Sequence, residues 1–150
     1  MLMKKQGVWK VGKAGSRDLQ VARKLLSGSK LPIDGLHQAE FWSVRDGMGA
    51  VIGVAGLETW GKQGLVRSVV VEERYRRSGI GKALVERVLQ EASGKGLVEL
   101  YLITETAPRF FETFGFVSIE RQEVKGRVLD SVEFREACPQ TAPVMRLCLS

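Results

Sequence analysis

The chain has 150 residues, 44% hydrophobic and 27% charged, which suits one globular domain able to bury a core without staples. No apolar run approaches the roughly 20 residues that cross a bilayer, and MLMKKQGVWKVGK at the start lacks the apolar core of a secretory leader, so the expected location is the cytoplasm. A formal net charge of +6 favours an anionic partner. The basic residues are spread along the chain, so the expected partners are small molecules, not nucleic acid or a membrane.

The first expected strand is GVWKV (7–11). SRDLQVARKLLSGS (16–29) reads as a helix capped by Ser16, with Leu19, Ala22, Leu25 and Leu26 at helical spacing. Pro32 and Asp34-Gly35 mark turns before a short helix. From Trp42 to Val71 the pattern is strand, turn, strand, turn, strand, with glycine-rich turns near 46–49 and 61–64, which predicts antiparallel neighbours.

A helix is expected from Ser78-Gly79, with Ile80, Ala83, Leu84, Val88 and Ala92 on one stripe. VELYLI (98–103) is then a buried strand. A strand, a helix of about four turns and a strand form a βαβ unit, so its two strands should run parallel. APRFFETFGF (107–116) offers a short helix ending at Gly115. The tail predicts a strand, a helical stretch around 127–136 and a last strand at 144–149. The fold class is therefore α/β (α+β): one domain with a mixed, mostly antiparallel sheet flanked by helices, and a central parallel strand pair.

RRSGIG, between VVV and the amphipathic helix, is the most informative stretch. A helix N-terminus presents unpaired N–H groups and partial positive charge. Glycines let an anion approach them, and Arg76 and Arg77 add charge. The plain alternative is a tight turn with exposed arginines. A Walker loop is excluded, because Arg76 stands where its first glycine belongs and Ala83 follows Lys82. The dinucleotide fingerprint is excluded as well, because Leu84 replaces its third glycine.

Arg-x-x-Gly-x-Gly (76–81), after LVRSVVV (65–71) and before APRFFETFGF, resembles the acyl-CoA signature of the GNAT superfamily of N-acetyltransferases. GLETWGKQGLVRSVVV, LYLITETAPRFFETFGF and VEFREACPQTAPVM are similar to the small N-acetyltransferases associated with arsenic-resistance operons. The middle of the chain also resembles the acetyltransferase part of N-acetylglutamate synthases.

The resemblance implies acetyl-CoA as cosubstrate, no metal, and direct attack of a small amine on the thioester. It places the pyrophosphate on the amides of Arg77, Ser78, Gly79, Ile80, Gly81 and Lys82, beside Arg76. Backbone groups of Val69 and Val71 would pair with the pantetheine arm. An amide at Val69 or Val70 would face the thioester oxygen. Phe111, beside the cofactor, stands where the superfamily often has the tyrosine that protonates the thiolate. Tyr75 and Tyr101 do not match that motif, and the thiolate is expected to leave unprotonated or to take a proton from water.

Glu58, at the end of the neighbouring strand, is the candidate base, against an ordinary strand-end glutamate. The lone His37 reads as a surface residue. Arg67, in an apolar run, needs an anion. By strand alternation it should share a face with Val69 and Val71. It either binds a substrate carboxylate or pairs with Glu58, and Thr104 and Thr106 are placed to line the same pocket. Cys138 and Cys148 read as reduced, buried thiols rather than arsenic ligands. The resemblance makes a homodimer plausible. The alternatives are a peptide N-acetyltransferase and a CoA-binding module without turnover.

Overall fold

A computed structural model describes residues 9–137 and 141–149. Its sheet has seven strands in the order β1-β2-β3-β4-β5-β7-β6. These are β1 (Val11–Lys13), β2 (Glu40–Arg45), β3 (Val51–Trp60), β4 (Gln63–Val71), β5 (Glu99–Ile103), β6 (Val117–Ile119) and β7 (Val144–Cys148). Every neighbouring pair is antiparallel except β4–β5. The helices are α1 (Ser16–Gly28), α2 (Ile80–Gly94) and α3 (Pro108–Glu112). The mixed sheet and its parallel pair are as the sequence predicts.

Local differences have local causes. The first strand lies at Val11–Lys13, later than GVWKV, of which residues 7 and 8 fall outside the described residues. Trp9 precedes the strand and packs against the main core, with its indole N–H on the Ser78 carbonyl at 2.8 Å and its ring edge-on to Tyr75. Gly15, not Ser16, caps α1, and its N–H donates to the Asp18 carboxylate at 2.9 Å. The short helix after Gly35 is a single 3-10 turn, Leu36–Gln38. The helical stretch of the tail is a 3-10 turn at Arg127–Asp130 followed by a π-helical turn at Glu133–Ala137.

The apolar stripe of α2 packs on the sheet. Ile80, Leu84, Val85, Val88 and Ala92 are buried against Trp42, Ile52, Leu57, Val66, Leu100 and Leu102. Gly53 makes this approach possible: a Cβ there would lie 3.0 Å from Ile80 Cγ2 and 3.1 Å from Leu84 Cδ1. A second cluster lies under α1, where Ala22, Leu26, Leu36 and Phe41 meet Val51, Val54 and Val70. A third joins Leu65 and Tyr101 to Val128 and Phe134 of the tail.

Two irregularities shape the second half of β4. It pairs with β5 only at Gln63, Gly64 and Leu65, and the two strands then separate. It also carries a β-bulge: Val54 pairs with Val70 and Gly56 with Arg67, so Ser68 and Val69 together oppose Ala55. Ser68 takes a left-handed φ of 59° at the bulge. The extra residue shifts the alternation. Val66, Val69 and Val71 pack on the α2 side, whereas Leu65 and Val70 pack on the other. Arg67 turns toward Glu58 and Glu133 and does not share a face with Val69 and Val71, contrary to strict alternation.

Candidate active site

The gap between β4 and β5 is occupied by two clefts. The first, of about 400 Å³, is lined by Val69, Val70, Val71, Tyr75, Arg76, Arg77, Gly79, Gly81, Lys82, Ala107, Phe110 and Phe111. It lies at the start of α2, where Gly79 is the N-cap with φ 91°. Ala83 donates to the Gly79 carbonyl at 3.0 Å, and helix geometry leaves the amides ahead of it without an intrahelical acceptor. A Cβ on Gly81 would meet the Phe110 ring at 3.4 Å, an ordinary contact distance, so Gly81 lies directly against that ring. No acidic side chain stands in the first turn. The Ile80 side chain is buried in the core, so only its backbone is available there. The Ser78 hydroxyl donates to the Tyr75 carbonyl and braces the loop.

Arg76 is already engaged. Its Nε donates to the Val71 carbonyl at 2.9 Å, and its Nη2 to Ser29 Oγ at 3.1 Å, linking the loop to the end of α1. Glu72 donates its N–H to Ile52. Alternation from that bond turns the Val71 peptide groups to the open edge of β4 and keeps Val70 in its ladder with β3. Of the two amides proposed from the sequence for the thioester oxygen, Val70 therefore lies within the paired ladder. Val69 lies in the bulge, with no partner in the strand register.

The second cleft, of about 380 Å³, brings together Arg67, Thr104, Thr106 and Phe111, together with Lys30, Glu105 and Glu133. The end of α1 forms its lip through Ser29, Leu31 and Pro32. Both clefts are lined by Val69, Ala107 and Phe111 and meet there. Phe111 is 7% exposed and packs edge-on to Phe110 and Phe116. Thr104 Oγ1 accepts the Ala107 N–H at 3.0 Å, which positions α3, and Thr106 is exposed.

Arg67 is the electrostatic centre. Its Nη1 donates to Glu58 Oε2 at 2.8 Å, and its Nε lies 3.2 Å from Glu133 Oε2 and 3.0 Å from Ser68 Oγ. The side chains of Arg67, Glu58 and Glu133 are 0%, 1% and 4% exposed. Arg67 Nη2 is buried with no hydrogen-bond partner among the described residues. Glu58 sits behind Arg67 and lines neither cleft; its second oxygen accepts the Trp60 indole N–H at 2.9 Å. Both of its oxygens are thus committed, which leaves the expected base without direct access to the cleft.

Glu133 was not singled out by sequence reasoning. Burial raises its pKa to about 7, against the lowering effect of Arg67 and with a smaller rise from Glu58. The available signal was an acidic side chain between Val132 and Phe134, in a segment that packs on the core. His37 is exposed, as expected. Cys148 is an exposed free thiol, contrary to the buried reading, because it ends β7; Cys138 lies outside the described residues. Among the described residues no cluster of metal-ligating side chains occurs, and no helix is long and apolar enough to cross a membrane.

Comparisons with known proteins agree with this architecture. The family model described as "Acetyltransferase (GNAT) domain" matches residues 37–118. An amino-acid acetyltransferase of Mycobacterium tuberculosis is 36% identical over 97 residues, covering 62% of this chain and 55% of that protein. An uncharacterized N-acetyltransferase of Chlorobaculum tepidum is 30% identical over 115 residues, covering 74% of this chain and 73% of the relative. The chain thus spans about half the length of the first relative and nearly three quarters of the second. The crystal structure of Rv2747 from Mycobacterium tuberculosis, in complex with CoA and NLQ, superposes with a TM-score of 0.80 at 28% identity, covering 94% of this chain and 99% of that one. The N-acetylglutamate synthase of Neisseria gonorrhoeae, complexed with coenzyme A and N-acetyl-glutamate, shares the fold with a TM-score of 0.80 at 17% identity, over 97% of this chain and 36% of that one. The bulged and splayed β4, the open N-terminus of α2 and the family match over more than half of the sequence lead to one assignment: the chain belongs to the GNAT family of acetyltransferases.

Proposed function

We propose that this acetyltransferase transfers the acetyl group of acetyl-CoA to the amine of a small amino acid or amino-acid-like metabolite. The observation that carries this reading is the meeting of two chemically different clefts at Val69, Ala107 and Phe111. The cleft at α2 suits a pyrophosphate, because helix amides, Arg77 and Lys82 offer positive charge without an acidic neighbour in the first turn. Arg76 would add to that charge on leaving Ser29. The open edge of β4 at Val69 and the Val71 N–H suits the extended, amide-bearing pantetheine arm, while the Val71 carbonyl is held by Arg76.

Acetyl-CoA supplies the activated acyl group. The Val69 N–H in the bulge is the proposed donor to the thioester oxygen, where a fixed dipole stabilises developing negative charge. Phe111 carries no proton, so it closes the junction against water and leaves the sulfur to depart as thiolate. In the second cleft, Arg67 Nη2 is the N–H left over for an acceptor carboxylate or related oxyanion. Glu58 holds the guanidinium in place for that task. The M. tuberculosis matches support this substrate class: the curated relative is named an amino-acid acetyltransferase, and the solved structure holds CoA and NLQ.

The test is release of free CoA thiol from acetyl-CoA across a panel of amino acids and analogues. Arsenic- and phosphorus-containing amino acids belong in the panel because of the sequence resemblance to the arsenic-resistance group. Turnover by a subset with a free α-amine and an acidic group is the expected result. Silence across the panel, with turnover of peptide N-termini instead, would reject the small-acceptor reading.

A further inference from the structure

We infer that Glu133 is the proton acceptor for the acceptor amine, a role that rests on the transferase reading above. Three geometric observations carry it. Glu133 lines the acceptor cleft, whereas Glu58 does not. Its side chain is only 4% exposed, and one of its oxygens lies 3.2 Å from Arg67 Nε. Arg67 is shared between two carboxylates, so the buried set carries one more acidic group than basic.

That imbalance gives the two glutamates different tasks. Glu58 makes the shorter bond to Arg67 and has Trp60 on its other oxygen, so both of its oxygens are already engaged. Glu133 has a single contact with the guanidinium, through the Nε edge that Ser68 Oγ also uses. The charged groups around it are Arg67 from β4 and Glu58 from β3, with Lys30 and Glu105 on the same cleft. Burial outweighs the attraction of Arg67 and brings its proton affinity to about pH 7, where a carboxylate both takes up and gives back a proton readily.

The step balances as follows. A neutral amine forms the new N–C bond at the acyl carbon, and one N–H proton passes to the Glu133 carboxylate. The C–S bond breaks with its electron pair on sulfur. Glu133 then returns the proton to the thiolate or to water, and the carboxylate is restored. A π-helical turn at Glu133–Ala137 presents the residue, a local geometry that recurs at functional sites.

The experiment compares the chain with its Glu133→Gln and Glu133→Asp variants. With an acceptor from the panel, kcat/KM of the unaltered chain should rise through an ionisation near 7. Glu133→Gln should lose about 10²–10³-fold and that ionisation, with unchanged acetyl-CoA affinity by calorimetry, whereas Glu133→Asp should recover part of the rate and keep the pH profile. In parallel, ¹³C NMR of glutamate-labelled chain, saturated with acetyl-CoA, follows the Glu133 carboxyl directly and needs no acceptor. A midpoint between 6 and 8 is expected; a midpoint below 5, or full activity in Glu133→Gln, overturns the inference. Failure of every acceptor would reject the transferase reading, while the NMR midpoint still decides whether Glu133 can exchange a proton at neutral pH.

Discussion

Arg67 and Glu58 stand nine residues apart on adjacent strands and are joined by a 2.8 Å ion pair from which solvent is excluded. The pair follows from the strand register: Leu65 stands opposite Glu58, Arg67 two residues on shares their face, and the bulge at Ser68 and Val69 then turns Val69 and Val71 to the α2 side. With Glu133 added, one cation serves two carboxylates.

Arg67→Ala should be the most damaging single change at the site. It leaves two buried carboxylates without their cation, and breaking a buried pair from one side costs about 3–5 kcal/mol. Chemical denaturation should show that loss above pH 7. It should shrink toward acidic pH as Glu133 takes up a proton. A loss below 1 kcal/mol at pH 8 would mean that the guanidinium does not hold the set together.

Glu133 sets a pH dependence of stability whose sign can be stated. Its folded pKa of about 7 lies above the ordinary 4.5, so the folded chain binds this proton more tightly than the unfolded chain. The favourable contribution is complete below about 4.5 and is lost as pH rises to about 7. A shift of that size corresponds to ~3 kcal/mol. Glu133→Gln keeps the shape, leaves Arg67 paired one-to-one with Glu58, and removes the charge. Its melting temperature relative to the unaltered chain should therefore climb between pH 5 and pH 7.5. A constant difference over that range would contradict the assignment.

The contrast between Arg67 and Glu133 shows what could be read from the letters. An arginine in LVRSVVV stands out, because a cation in an apolar strand must find an anion, and Glu58 was one of its two foreseen partners. That Val69 and Val71 lie on the opposite face from it was not legible: a bulge depends on how β3 and β4 meet, and Ser68 is not a residue that signals a left-handed φ. Glu133 was hidden for another reason. Its importance comes from a long-range contact with Arg67, and the short turns between 121 and 137 have no periodicity to mark an inward position. The junction at RRSGIG was legible because helix start, glycine and positive charge coincide within a few residues. The α1 cap was misplaced by one residue, since Asp18 does the capping from within the helix.

Gly64 tests the hinge at which β4 and β5 part. It pairs with Leu100, and a Cβ there would lie 2.6 Å from Leu100 Cδ2 and 2.9 Å from Leu97 Cδ1. Gly64→Ala should cost about 1–3 kcal/mol through overpacking. Because the parallel ladder has only three pairs, the strain should also alter the gap. Calorimetry should then show weaker acetyl-CoA binding, although Gly64 lines neither cleft. An unchanged affinity would show that the separation is set further along the strands.

Arg77 and Lys82 test the phosphate cradle. Both line the cleft at the start of α2, and neither has a carboxylate partner among the ion pairs of the described residues. Arg77 adopts a left-handed φ of 66° immediately before the Ser78-Gly79 turn. A charge-assisted bond to phosphate contributes about 1.5–3 kcal/mol, so Arg77→Ala or Lys82→Ala should weaken acetyl-CoA about 10–100-fold. The loss should diminish as salt is raised, since the cleft is open and its charges are screened. Dephosphorylated pantetheine thioesters, which lack the pyrophosphate, should bind both variants and the unaltered chain alike. Equal weakening toward those thioesters would place the two cations on another part of the cofactor and move the pyrophosphate away from α2.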